Sequence, residues 1–263
     1  MAERLLVTGS AGRVGRLLRP RLARAGRELR LLDVVAQAEA AAGSGETLIE
    51  ADVTDLAAMT SAAEGTDAVL HLAAYPGEQI WSELQRLNVD GTRNVLEAAR
   101  AAGVSRVILF STIHAAGYHR RGDGFLPATV PARPDTYYGW SKAAVEALGS
   151  LYADRFGMAV FVPRLGACFP EPLNADLLDC WISPDDCARL VEACLATDAG
   201  GFHLLWGISR NTRRWWSLAE GEAIGYHPRD DSEAYADRLG PVTPADAGVV
   251  GGFFRHLPLG EPS

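Results

Sequence analysis

Arg4-Leu5-Leu6-Val7-Thr8-Gly9-Ser10-Ala11-Gly12-Arg13-Val14-Gly15 is the stretch that decides the fold. Its first five residues make a short apolar run suited to a buried strand, and glycines then recur at every third position. Gly9 allows a tight strand-to-helix turn, Gly12 lets backbone approach a pyrophosphate, and Gly15 permits close helix packing, while the helix N-terminus attracts phosphate charge. Glu28-Leu29-Arg30-Leu31-Leu32 reads as a second strand. It ends at Asp33, within the roughly 20-residue interval expected for an acid that binds an adenosine ribose. Strand, loop, helix, strand and acid in that order point to dinucleotide binding rather than to a structural glycine turn.

Asp33 also bears on which dinucleotide is bound. A carboxylate accepts hydrogen bonds from both ribose hydroxyls and repels a 2′-phosphate, so NAD is favoured over NADP. Val34 and Val35 offer no cation for such a phosphate, and Arg13 is the one nearby residue that leaves residual NADP use open. Asp52, in Glu50-Ala51-Asp52-Val53, follows an apparent third strand and is placed beside the adenine; the competing reading is a cap for the helix starting near Asp55.

Farther along, apolar strands alternate with amphipathic helices. Ala68–Leu72 reads as a strand, about 80–102 as a helix, Arg106–Phe110 as a strand, about 137–156 as a helix and Met158–Val162 as a strand. Such alternation specifies an α/β fold, a Rossmann-like doubly wound parallel sheet. Residues 1–163 form its core within a single domain, 1–263, and residues 164–263 a small C-terminal portion covering substrate. There the 166–179 segment is loop-like, followed by a helix over 184–196, a strand near 202–206 and a polar tail.

Within the second long helix, Tyr138-Gly139-Trp140-Ser141-Lys142 sets a phenol and an ammonium four residues apart, on one helix face. A tyrosine, with a pKa near ~10, is a poor base at neutral pH unless a nearby cation favours the phenolate. Lys142 is placed to supply that charge.

Composition agrees with a soluble enzyme-like domain: 263 residues, 48% hydrophobic, 22% charged, and no apolar run long enough to cross a bilayer. A formal net charge of −8 argues against a nucleic-acid binder, which needs a cationic face. Cys168, Cys180, Cys187 and Cys194 lack paired metal-ligand spacing and a secretory context, so reduced thiols in a cytoplasm are expected, with no metal.

These residues carry a resemblance. The chain resembles the extended short-chain dehydrogenases/reductases, of the NAD-dependent epimerase/dehydratase superfamily, and within them is similar to the bacterial uronate dehydrogenases. The likeness spans nearly the whole chain. Its more specific matches are Val130-Pro131-Ala132-Arg133-Pro134-Asp135, Cys168-Phe169-Pro170-Glu171-Pro172, Trp181-Ile182-Ser183-Pro184-Asp185-Asp186, Trp206-Gly207, and the tail from Trp215-Trp216 through Gly225-Tyr226-His227-Pro228.

The resemblance implies hydride transfer from a sugar hydroxyl to NAD, in that subfamily oxidation of the anomeric carbon of a hexuronic acid to a lactone. Tyr138 would be the general base, with Lys142 lowering its pKa and holding the nicotinamide ribose. Thr112 would orient the substrate oxygen, with Ser111 as the less favoured candidate, and Asn88 matches an asparagine that holds a water near the lysine. As a bare residue Asn88 is equally a buried polar group satisfied by backbone. The implied cofactor set is Gly9, Ala11, Gly12, Arg13, Val14, Gly15, Asp33, Asp52, Val53, Leu72, Ala73, Ala74 and Leu165, together with Tyr138 and Lys142. The resemblance further implies a homo-oligomer, since similar enzymes pair into dimers through the helices that match 83–102 and 137–156.

The substrate end departs from that pattern. Ile113 stands where the uronate enzymes have asparagine, and Ala167 and Pro76 where they have serine; His114 is kept. The arginine that holds the substrate carboxylate falls on Asp176. Two unit charges ~4 Å apart interact by roughly 4 kcal/mol at an effective dielectric of about 20, so this reversal is expected to disfavour a hexuronate. A neutral, cationic or more apolar hydroxyl substrate is the preferred reading, and Arg120 or Arg121 is a substitute cation if the substrate is a uronate after all. Two functions of different class compete with it. A nucleotide-sugar epimerase or dehydratase would use the same cofactor and tyrosine, but the C-terminal portion is small for one; a non-catalytic NAD sensor would need neither Tyr138 nor Lys142. Trp215 and Trp216 read as core or interface residues.

Overall fold

The computed structural model describes residues 3–37, 45–243 and 248–263. In chain order its strands are β1 Glu3–Thr8, β2 Arg27–Asp33, β3 Glu46–Glu50, β4 Ala68–His71, β5 Arg106–Leu109, β6 Ser111–Thr112, β7 Ala159–Leu165, β8 Ala167–Cys168, β9 Trp181–Ile182 and β10 Phe202–Gly207. The main sheet runs β10-β7-β5-β4-β1-β2-β3, all parallel, with β6 paired to β7. Short β8 and β9 form a separate parallel pair.

Each central strand is buried on both faces, so successive residues serve different layers. Leu5, Val7, Leu29, Leu31, Leu70 and Ile108 belong to one core cluster. Leu6, Leu32, Val69, Val107 and Leu109 belong to the other. Helices cover both faces: α1 Arg13–Leu22, α2 Leu56–Ala63, α3 Trp81–Glu83, α4 Gly91–Ala101, α5 Tyr137–Phe156, α6 Pro184–Ala196 and the short α7 Ala219–Glu222. Asp55 caps α2 by accepting from Ala57 N and Ala58 N, Thr136 caps α5, and Ser183 caps α6. The helix expected over about 80–102 is interrupted: Leu84–Asp90 is π-helical between α3 and α4, and Asn88 lies within that wider turn.

The chain winds outward from β1 through β2 to β3, then returns to β4 on the other side and continues outward through β5, β7 and β10. The switch point between β1 and β4 opens a crevice at the carboxyl ends of the strands, where a parallel sheet takes its ligand. Among the described residues, no helix is long and apolar enough to cross a membrane.

Candidate active site

The glycine loop has no room for side chains. A Cβ on Gly9, whose φ is +71°, would lie 2.5 Å from the backbone N of Ala73, in the loop after β4, and a Cβ on Gly15 would lie 2.5 Å from the Ser10 carbonyl. Asp33, at the end of β2, accepts from Ala11 N at 2.9 Å and from Val35 N at 3.0 Å, which fixes its carboxylate beside the loop. This cradle of Gly9, Ala11, Gly12 and Gly15, with Asp33 beside it, could hold a dinucleotide. Asp52 closes a turn onto Thr54 N at 2.9 Å and faces Arg86 at 3.7 Å, leaving helix capping to Asp55. Val53 is buried against Gly91.

From the crevice a cavity of about 630 Å³ runs under the tail. It is lined on the loop side by Arg13, Val14, Leu72, Ala74 and Leu165. Arg13 opens α1, and its guanidinium lies 4.2 Å from the centre of the Phe169 ring.

Tyr138, Lys142 and Thr112 meet in this cavity. Thr112 lies beside the Tyr138 phenol and acts to lower its pKa, and Ser111 donates to Glu146 at 2.7 Å, within a buried Glu146–Arg164 ion pair. Burial pushes the Tyr138 phenol up to about 12, against the lowering effects of the Thr112 bond and the Arg13 charge. Burial pushes Lys142 down to about 8, and its ammonium donates to the Phe110 carbonyl at 2.8 Å. Lys142 lines the same cavity as Tyr138, and the charge of Arg13 also acts to lower the phenol.

Asn88 is fully buried and its side chain accepts from Tyr75 N at 2.8 Å and donates to Ser141 Oγ at 2.9 Å. That is the satisfied-polar-group arrangement, tying the loop after β4 to α5 next to Lys142.

At the substrate end, Pro76, Ile113, His114, Ala167 and Asp176 all line the cavity. Asp176 also anchors the tail: its two oxygens take Thr243 N at 2.6 Å and Thr243 Oγ1 at 2.8 Å. His114 Nδ1 lies 2.8 Å from Asp135 Oδ2, and its ring stacks on Phe254 with centroids 3.9 Å apart. Trp215 and Trp216 are buried as expected, yet Trp215 also lines the cavity. Arg121 reaches the lining, and Arg213 does so while closed onto Glu233 at 2.7 Å.

Three contributors escape a reading of the sequence. Tail residues 248–254 wall the cavity. Asp179 lines it with a carboxyl whose pKa burial raises, and accepts the Trp215 indole N–H at 2.6 Å. Glu78, buried, accepts from Tyr138 N and from Gly260 N, each at 2.8 Å, and so pins the start of α5 to the tail. Each partner is distant in sequence, and no local spacing marks the pairing.

A family model for the NAD dependent epimerase/dehydratase family matches residues 5–175. The chain belongs to that family. It is 40% identical to a uronate dehydrogenase from Pseudomonas putida, over 89% of this chain and 86% of that one. It is 37% identical to an L-arabinose 1-dehydrogenase (NAD(P)(+)) from Haloferax volcanii, over 87% of this chain and 97% of that one. A solved Agrobacterium tumefaciens uronate dehydrogenase variant, complexed with NAD, superposes with a TM-score of 0.91 at 36% identity, covering 98% of each chain. With these full-length likenesses, the protein is an NAD-dependent dehydrogenase of the extended short-chain dehydrogenase/reductase type.

Proposed function

We propose that this protein oxidises a hydroxyl of a small sugar with NAD, on a uronate-dehydrogenase-like scaffold whose substrate pocket has been remade. The observation that carries the reading is that Thr112, Tyr138 and Lys142 line one cavity together with Arg13 and Val14, which follow the glycine turn. Bound NAD supplies the hydride acceptor. Thr112 orients the substrate hydroxyl toward Tyr138, which removes its proton as the carbon loses hydride. Arg13 and the Thr112 hydroxyl draw the phenol pKa down from the value that burial imposes. Phe110 engages one of the three Lys142 donors, and the remaining two suit the nicotinamide ribose.

Ile113, Ala167 and Pro76 offer C–H surface where a polar substrate contact was expected, which supports a substrate less polar than a hexuronate. A uronate remains the second reading, favoured by one observation: Arg121 lines the same cavity. Exposed Leu151 and Phe156 on α5 support pairing of two copies through that helix, and four buried free thiols support a reducing compartment such as the cytoplasm.

NADH formation at ~340 nm with NAD and a panel of aldoses, amino sugars and uronates tests the proposal, as Tyr138→Phe should cost at least about 100-fold in kcat while NADH still binds. Turnover of a panel sugar that Tyr138→Phe leaves unchanged would refute it.

A further inference from the structure

Asp176, the residue the sequence marks for substrate charge, is occupied by Thr243, and a different carboxyl on the same segment is left facing the cavity. That carboxyl is Asp179. Asp176 lies in a short 3₁₀ turn, Ala175–Leu177, and Asp179 follows just beyond its end, in the same cavity lining. Asp179 Oδ2 is held by the Trp215 indole at 2.6 Å, and Asn211 Nδ2 holds the Asp179 backbone carbonyl at 3.2 Å. Its place is therefore fixed from behind. The groups that favour its charged form are hydrogen donors, Trp215 first, with no arginine or lysine among them. The neighbouring Arg213 is closed onto Glu233 in a two-pronged pair at 2.7 and 2.8 Å.

We propose that Asp179 receives the hydroxyl groups of the substrate and makes this pocket select a neutral aldose over the matching uronate. The inference rests on the sugar-oxidising reading above and names its specificity-determining residue. A carboxylate has two acceptor oxygens, and the one not engaged by Trp215 can take a sugar hydroxyl. Charge assistance makes such a bond strong for a donor and repulsive for an anion. Trp215 and Phe254, lining the same cavity, present apolar surface suited to the C–H faces of a sugar ring. A uronate would bring its carboxylate into a region that already holds Asp176 and Asp179. Arg13, Arg121 and Arg213 line the cavity too; Arg13 lies over the Phe169 ring and Arg213 is paired with Glu233, and the contribution of Arg121 is separated by the test.

The experiment measures kcat and KM for matched pairs, glucose with glucuronate and galactose with galacturonate, in the parent, Asp179→Asn, Asp179→Ser and Arg121→Gln proteins. NADH binding by tryptophan fluorescence is the check on folding. The expected result is a parent that prefers the neutral partner, and Asp179 variants whose neutral-to-uronate ratio of kcat/KM falls by about tenfold or more with NADH affinity kept. Serine guards against an asparagine that disturbs the Trp215 contact. Sugar turnover with an unchanged ratio in both folded Asp179 variants would overturn this assignment alone, as would a parent preference for uronates that Arg121→Gln abolishes. If Asp179 variants lose NADH binding, the residue is a structural support and the assignment fails. Silence of the parent on every sugar, with NADH bound, would overturn the sugar-oxidising reading and the assignment with it.

Discussion

Mild acid should destabilise this protein through His71, and the size of the effect follows from its surroundings. The ring is buried at the end of β4, with Nδ1 2.7 Å from Thr8 Oγ1 and Nε2 2.9 Å from Thr92 Oγ1. Thr92 donates its own proton to the Asn88 carbonyl at 2.5 Å, so it accepts from Nε2–H, and Nδ1 is left to accept from Thr8. A second ring proton would meet a hydroxyl already pointing inward. Burial, with the Lys142 charge adding to it, pushes the pKa down to about 3 from an ordinary 6.5. A histidine whose folded pKa is depressed binds more protons when unfolded, so stability is present above the unfolded pKa and is lost as pH falls below it. Between about pH 7.5 and pH 5 the loss is about 1.5 pH units of linkage, or about 2 kcal/mol from this one group. Urea unfolding of the parent and of His71→Gln at both pH values isolates it, because the carboxylates titrate alike in the two proteins. Equal losses of stability in parent and variant would refute the reasoning.

Further expectations follow from single contacts. Gly9→Ala should abolish NADH binding and cost on the order of 1–3 kcal/mol or more in folding, since its Cβ meets the backbone of Ala73 and positive φ adds strain; calorimetry and an NADH titration check both. Asp33→Ala removes the carboxylate that would repel a 2′-phosphate, so the NAD-over-NADP ratio of kcat/KM should fall by about tenfold or more. Glu78→Gln sets an amide N–H against the backbone N–H of Tyr138 or Gly260, and should lower kcat by at least about tenfold while NADH affinity holds, as stopped-flow and binding measurements would show.

Much of the fold is legible because its signals are local. Buried parallel strands need continuous apolar runs, the cofactor turn needs glycine at fixed spacing, and caps such as Thr136 and Ser183 sit directly before their helices. The interrupted helix is less visible: the π turn at Leu84–Asp90 accommodates Asn88, whose partners Tyr75 and Ser141 lie 13 and 53 residues away. Ser111 and Thr112 both line the cavity, and what separates them, the donation of the Ser111 hydroxyl to Glu146, lies 35 residues away in sequence. Asp176 shows the limit. Its charge is plain in the sequence, but its direction depends on Thr243, 67 residues on, and no pattern announces that bond.

Tyr138 and Lys142 make the same point about chemistry. Four-residue spacing puts both groups on one face of α5, but proximity on a helix does not fix where an ammonium spends its hydrogen bonds. Phe110, just after β5, takes one, burial lowers the lysine to about 8, and the charge of Arg13 also acts to lower the phenol. Arg13 is also the first residue of the helix that follows the glycine cradle. One guanidinium thus acts on the base from the end of the glycine loop, where it lies over the Phe169 ring. In this site the competence of the tyrosine belongs to the assembled crevice, and to its own helix only in part.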